Sequence, residues 1–119
     1  MYLGIDIGGT SIKYALFNKE GGKVTDVMKT PTIKDEASNQ ILQTVLNLVG
    51  KYQKKIEGVA ISSAGVVNSE GSIAYAGYTI PGYTGTKIKK EFEASNLYPT
   101  KWNTDKVTVS NKIFIEDIL

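Results

Sequence analysis

The fold is decided by the stretch Asp6-Ile7-Gly8-Gly9-Thr10-Ser11-Ile12-Lys13, in which two glycines separate two short apolar segments. Tyr2 to Ile7 and Ile12 to Phe17 are rich in β-branched and aromatic residues, a composition typical of strands. A connection this short joins neighbouring strands that run antiparallel. The sequence therefore predicts that the chain begins with a β-hairpin.

The residues of this turn also suit the binding of phosphate. Bare backbone N–H groups at Gly8, Gly9 and Thr10 can form an anion-binding concavity, to which Thr10 adds a hydroxyl and Lys13 a positive charge. Asp6 can hold Mg²⁺ through water. The predicted phosphate-binding residues are Asp6, Gly8, Gly9, Thr10, Ser11 and Lys13. The alternative is an ordinary hairpin, since Gly-Gly is also a favoured two-residue turn.

The following segments predict a mixed α/β sheet. Lys23 to Thr30 alternates weakly and predicts a third strand, which completes an antiparallel three-strand meander. Apolar residues then recur at helical spacing from Ile41 to Tyr52, and Thr32-Ile33-Lys34-Asp35 resembles a capping box before that helix. Gly50 marks where the helix is expected to stop. The later predicted elements are a strand at Ile56–Ser62 parallel to the first, a small strand at Ile73–Tyr75, a helix at Thr86–Ala94, and a last strand pair at Lys106–Ser110 and Ile113–Ile115.

Composition narrows the possible functions. The 119 residues carry a net charge of +2, and all the basic side chains are lysines, which argues against a nucleic-acid partner. The absence of cysteine and histidine excludes disulfides and a zinc site, so acid–base chemistry must use a carboxylate, a lysine or a tyrosine. Neither a membrane-spanning run nor a secretory leader is recognisable, and we expect a cytoplasmic domain without a membrane partner.

Three segments in order resemble the ROK family of sugar kinases: Gly4 to Lys13, Gly58 to Asn68, and Ile80 to Tyr83. The resemblance runs from Tyr2 to about Leu97. It implies a ribonuclease H-like (actin-like ATPase) domain of α/β class, incomplete at its C-terminal end. It also implies an ATP-dependent, Mg²⁺-requiring kinase that acts on a hexose or N-acetylhexosamine. ATP and a small-molecule sugar are the implied partners.

The resemblance also implies a sugar site after the parallel strand. There Ser63 and Gly65 match the family's sugar-facing loop, and Thr79 is a further sugar contact. Many family members carry Pro-Asn where this chain has Tyr78-Thr79, which leaves the preferred sugar open. Tyr75, Tyr78 and Tyr83 can either stack on a pyranose ring or cover the edge of a small core.

The family pattern is not recognisable after Leu97. We divide the chain into residues 1–97, an ATPase-like domain, and residues 98–119, a divergent tail, with the second kinase domain absent. ROK kinases have a strand ending in Glu-Asn-Asp at this point, whose aspartate is the catalytic base. If Asn103-Thr104-Asp105 takes that place, Asp105 is the base; otherwise it is a solvated turn residue. A disrupted reading frame, an isolated domain and a genuine short relative are the possible origins.

The sequence therefore predicts the phosphate- and sugar-binding half of a kinase that is inactive alone. Two alternatives belong to other classes. A ROK-type transcriptional regulator is disfavoured because the motif begins at Asp6, with no preceding helix-turn-helix. A non-catalytic binding or assembly module is the other alternative, and homo-oligomerisation is possible for a half-covered sheet.

Overall fold

The computed structural model describes residues 1–34, 39–77, 80, 82–94 and 107–110, with only the backbone of 93, 94, 107, 108 and 110. Its elements are β1 (Tyr2–Ile7), β2 (Ser11–Phe17), β3 (Met28–Pro31), α1 (Gln40–Tyr52), β4 (Gly58–Ser63), β5 (Val66–Val67), β6 (Ile73–Tyr75), α2 (Ile88–Ala94) and β7 (Val107–Ser110). No helix within these described ranges is long and apolar enough to cross a membrane.

The main sheet has five strands in the order β3-β2-β1-β4-β7. β1 is central, antiparallel to β2 and parallel to β4, while β7 is parallel to β4. The predicted meander, helix and parallel strand are therefore confirmed. The third strand is shorter than predicted: it starts at Met28, and the side chain of Thr25 accepts the amide hydrogen of Leu16 at 3.1 Å.

The two faces of the sheet differ because side chains alternate along each strand. Leu3, Ile5 and Ile7 of β1 belong to one buried core together with the apolar faces of α1 and α2. Gly4 and Asp6 alternate with them and so lie on the other face. This alternation turns the Asp6 carboxylate away from the hydrophobic core.

The start of α1 differs from the prediction. The helix begins at Gln40, and the side chain of its N-cap residue Asn39 accepts a hydrogen bond from Leu42 N at 3.0 Å. The predicted capping box at Thr32–Asp35 is therefore wrong, and Asp35 lies outside the described residues. Asn39 takes this role because it directly precedes Gln40, the first residue of the helix, whose first buried residue is Ile41. Gly50 also lies inside the helix, which continues to Tyr52.

The second half of the described chain adds a two-stranded sheet and a short helix. β5 pairs antiparallel with β6, and β5 was not predicted because two residues carry no periodicity. α2 agrees with its prediction apart from a start at Ile88. β7 confirms the strand at Lys106–Ser110, whereas its proposed partner at Ile113–Ile115 lies outside the described residues.

Tyr83 is among the largest fully buried side chains, with 1% of its surface exposed. Its hydroxyl lies 2.6 Å from Ser63 Oγ. Burial raises the pKa of Tyr83 from 10.0 to about 12. The phenol is thus neutral over the whole range in which the protein is expected to work.

This raised pKa predicts a loss of stability in alkaline solution. Because the folded state holds the Tyr83 proton more tightly than the unfolded state, the contribution is complete below pH 10.0 and is lost as pH rises towards about 12. Urea unfolding of wild type and Tyr83→Phe should therefore give a difference in unfolding free energy that shrinks by about 2 kcal/mol between pH 9 and pH 12. Parallel pH curves for the two proteins would contradict this.

Candidate functional site

The turn between β1 and β2 is closed by a hydrogen bond from Gly8 N to Ser11 O at 3.0 Å. Because Ile7 pairs with Ile12 and Gly8 bonds to Ser11, the two central residues are Gly9 and Thr10, not the two glycines. Neither Gly8 nor Gly9 has a positive φ. The type I′ turn that favours Gly-Gly needs positive φ at both central residues, so ordinary hairpin geometry does not account for this glycine pair.

The two glycines differ in what a side chain would meet. A Cβ on Gly8 would lie 2.9 Å from the carbonyl oxygen of Ser11, so the turn itself requires glycine there. A Cβ on Gly9 would meet nothing within 4 Å among the described residues. Protein contacts in the described structure thus explain Gly8 and leave the space above Gly9 open to a ligand.

Thr32 braces this turn from the end of β3. Thr32 N donates to Thr10 O at 3.0 Å, and Thr32 Oγ1 donates to Gly8 O at 2.8 Å. These two bonds hold the turn's carbonyls from one side. The predicted capping box placed Thr32 at the start of a helix, so this role of Thr32 was not predicted. Thr32 reaches the turn because the preceding residue, Pro31, pairs with Ser11, and this long-range register is not visible in the local sequence pattern.

The two bonds from Thr32 use carbonyl oxygens of the turn and leave its backbone N–H groups available. Within the described part of the chain, no hydrogen bond uses the amide of Gly9 or of Thr10, and Thr10 is exposed. Consecutive N–H groups of this kind bind anions. Ser11 contributes its carbonyl to the turn, and Lys13 lies on β2 directly opposite Asp6. The structure therefore brings the six predicted phosphate-binding residues together at one edge of the sheet.

Asp6 lies at the carboxyl end of β1 and is half-buried. Its Oδ1 accepts a hydrogen bond from Ser62 Oγ at 2.9 Å, across the β1–β4 pair. The described residues contain no group of three or more potential metal-ligating side chains. A single oriented carboxylate does suit Mg²⁺, which keeps several waters and is shared with substrate phosphates.

The predicted sugar loop follows β4 and is adjacent to the turn, because Ala64 N donates to Ile7 O at 2.8 Å. Ser63 is buried on the core side, where its hydroxyl donates to Ala64 O at 2.9 Å and lies against Tyr83. Gly65 has φ +86°, and a Cβ there would lie 2.6 Å from Tyr75 O. The loop's conformation thus requires glycine at this position whether or not a ligand binds.

The three candidate stacking tyrosines have different environments. Tyr83 belongs to the core, whereas Tyr75 is 64% exposed and faces the half-exposed Val66 across the small sheet. Tyr78 lies outside the described residues, as do the predicted sugar contact Thr79 and the predicted base Asp105. Of the three tyrosines, Tyr75 is therefore the one described residue with a ring face accessible to a ligand.

Comparison with curated proteins finds relatives over most of this chain. It is 43% identical over 93 residues to an uncharacterized protein of Clostridium perfringens strain 13, covering 75% of this chain and 31% of that one. It is 32% identical over 98 residues to the N-acetyl-D-glucosamine kinase of Vibrio atlanticus, covering 79% of this chain and 31% of the kinase. The chain thus spans about a third of the length of these relatives.

Comparison with solved structures finds the same fold. A ROK family glucokinase from Streptomyces griseus, in complex with glucose and AMPPNP, aligns with a TM-score of 0.69 and 23% identity over 92% of this chain and 32% of the glucokinase. A ROK family transcriptional regulator, a homologue of the E. coli MLC protein, aligns with a TM-score of 0.62 and 18% identity over 91% of this chain and 26% of the regulator. These likenesses identify the actin-like ATPase fold.

The sequence model of the ROK family matches residues 2–114. This range includes most of the segment that the sequence analysis assigned to a divergent tail, and the boundary at residue 97 stays a prediction. The match covers nearly the whole chain, and the fold agrees with it. This protein therefore belongs to the ROK family.

Proposed function

We propose that this chain is the amino-terminal phosphate- and sugar-binding part of an ATP-dependent kinase for a hexose or N-acetylhexosamine. The kinase relatives and the glucokinase that binds glucose and AMPPNP support this class of substrate and nucleotide. The proposal rests chiefly on one observation: Gly9 has neither a positive φ nor a neighbour that excludes a side chain among the described residues. A phosphate group approaching the backbone gives a reason for glycine at this position.

Each residue of the turn then has a separate task. The amides of Gly9 and Thr10 donate to phosphate oxygens, while Gly8 and Thr32 keep the turn in shape. Lys13 supplies positive charge from the neighbouring strand. Asp6, held by Ser62, would hold Mg²⁺ through its water molecules. Bound Mg²⁺ would neutralise charge on the phosphates.

The sugar side of the proposal rests on the loop after β4. Gly65 gives the loop a backbone conformation that other residues rarely adopt, and we propose that this conformation presents the loop to a sugar ring. Ser63 donates its single hydroxyl proton to Ala64 O and lies against Tyr83 Oη, so it cannot donate a hydrogen bond to a sugar hydroxyl. Thr79 remains a proposed contact that lies outside the described residues. Tyr75 offers an exposed ring nearby.

The position of β7 bears on the catalytic base. Ser110 pairs with Ser62, which pairs with Asp6, so the end of β7 lies level with the proposed phosphate site. In the sequence Asn111 and Lys112 follow, and we propose that Ser110-Asn111-Lys112 corresponds to the family's Glu-Asn-Asp. This register favours a lysine at the base position over the prediction that Asp105, which precedes β7, is the base. A protonated lysine cannot accept the sugar's proton.

The other predictions about function stay open to test. The ROK regulator among the solved structures shares the fold at 18% identity, which supports fold alone. The regulator and assembly-module alternatives, the cytoplasmic location, the absence of a nucleic-acid partner and homo-oligomerisation therefore remain predictions. Negligible kinase activity of this chain is part of the proposal, because one part of a cleft cannot exclude water from the transferring phosphate.

Nucleotide binding tests the proposed role of Gly9. Isothermal titration with Mg²⁺·ADP should show that Gly9→Ala weakens affinity about tenfold or more, because the methyl group enters the space proposed for phosphate. The matched control is Gly77→Ala, since Gly77 also lacks a positive φ and a Cβ there meets nothing within 4 Å. Equal affinities for both variants and wild type, or no binding by wild type, would contradict the proposal.

Turnover tests the proposed inactivity of this chain. A coupled assay of the purified 119-residue chain with glucose or N-acetylglucosamine should show no sugar-dependent ADP release above the blank. Sugar-dependent release would overturn the claim of inactivity. If Asp105→Asn then abolished that activity, the register of β7 given above would be wrong and Asp105 would be the base.

A further inference from the structure

A series of hydrogen bonds, connected through Tyr83 and Asn39, joins the loop after β4 to the first turn of α1. At the loop end, Ser63 Oγ donates to Ala64 O at 2.9 Å and lies 2.6 Å from Tyr83 Oη. A carbonyl oxygen can only accept, and Ser63 has one hydroxyl proton. Tyr83 must therefore be the donor in its bond with Ser63, which suits a buried phenol that retains its proton at neutral pH.

The series of hydrogen bonds continues at the backbone carbonyl of Tyr83. Its carbonyl oxygen accepts from Thr86 Oγ1 at 2.6 Å and from Thr86 N at 3.1 Å. Thr86 Oγ1 in turn accepts from Asn39 Nδ2 at 2.7 Å, and Asn39 Oδ1 caps α1 at Leu42 N. Within the series, the hydroxyls of Ser63 and Thr86 each donate once and accept once, and the hydroxyl of Tyr83 donates once, so no two of these bonds compete for the same proton.

The hydroxyl side chains that form these hydrogen bonds are shielded from water. Thr86, Ser63 and Tyr83 are all buried, with exposed fractions of 6%, 6% and 1%. Buried hydrogen bonds of this kind are costly to leave unmade, because the abandoned group finds no water. A substitution at Thr86 is therefore expected to change the structure both at the loop after β4 and at the start of α1.

We infer that Tyr83 and Thr86 are positioning residues, which fix the conformation of the Ser63–Gly65 loop and couple it to the N-terminus of α1. Gly65, at φ +86° and packed against Tyr75 O, restricts the backbone conformation of the loop. The Tyr83 hydroxyl then holds Ser63, whose own hydroxyl donates to the Ala64 carbonyl next to Gly65. The inference rests on the proposed function only in taking this loop to face the sugar.

The competing explanation is that the series merely satisfies buried polar atoms. On that account, losing the Thr86 hydroxyl lowers stability and leaves the loop where it is. On ours, the loop's backbone environment and its affinity for sugar change as well. The two accounts therefore differ in readouts at Ala64 and Gly65, not in the melting temperature.

The test uses the ¹⁵N-labelled full chain and its amide resonances. Thr86→Val removes the hydroxyl with little change in shape, and it should shift the Ala64 and Gly65 resonances. The matched control is Thr44→Val, because Thr44 Oγ1 donates to Gln40 O at 2.7 Å within α1 and has no link to the loop in the series above. We expect that control to leave both resonances in place.

The same proteins are titrated with N-acetylglucosamine as the probe. Thr86→Val and Tyr83→Phe should each weaken its affinity about five- to tenfold, the equivalent of one buried hydrogen bond, while Thr44→Val should not. Folded Thr86→Val with unmoved Ala64 and Gly65 resonances would overturn the inference. If that variant fails to fold, the test uses Tyr83→Phe, which keeps the ring. A shift of its Gly65 resonance would then support the inference, and an unmoved resonance would overturn it. If wild type binds no sugar, the proposed function fails, and the resonance shifts still decide the inference.

Discussion

The pairing of β1 on both of its edges is the interaction on which the rest of the structure depends. All six of its residues are in register with β2 on one side and with β4 on the other. Because β2 is antiparallel and β4 parallel, the end of β1 meets both a tight turn and the start of the loop after β4. The backbone hydrogen bonds of β1 thereby bring Asp6, the glycine turn and the Ser63–Gly65 loop to one edge of the sheet.

Local pattern was sufficient to predict this part of the fold. Alternation and turn residues locate β1 and β2, and helical spacing from Ile41 to Tyr52 locates α1. The start of α1 was missed because Thr32 and Asn39 are both good capping residues. The choice between them depends on long-range bonds from Thr32 to the glycine turn, which no local pattern contains. The same limit explains why Thr32 was not recognised as part of the site.

The candidate site was predictable in its residues but not in their tasks. Gly8 is required by the Ser11 carbonyl, Gly65 by its positive φ and Tyr75 O, and Ser63 is occupied by Tyr83. Each of these has a structural reason that a sequence motif does not distinguish from a ligand contact. Gly9 is the exception, since the described residues supply no such reason. Of the features that suggested phosphate binding, the structure therefore leaves Gly9 and the neighbouring amide of Thr10 as those that the described residues do not otherwise explain.

The most direct measurement of this claim is a map of amide shifts in the ¹⁵N-labelled chain on addition of Mg²⁺·ADP. The account predicts that the largest shifts occur at Gly9 and Thr10. The turn at Gly21 and Gly22 provides an internal reference, since it is a second Gly-Gly hairpin in the same chain, and it should not respond. Shifts of equal size at the two turns, or none at Gly9 and Thr10, would contradict the account.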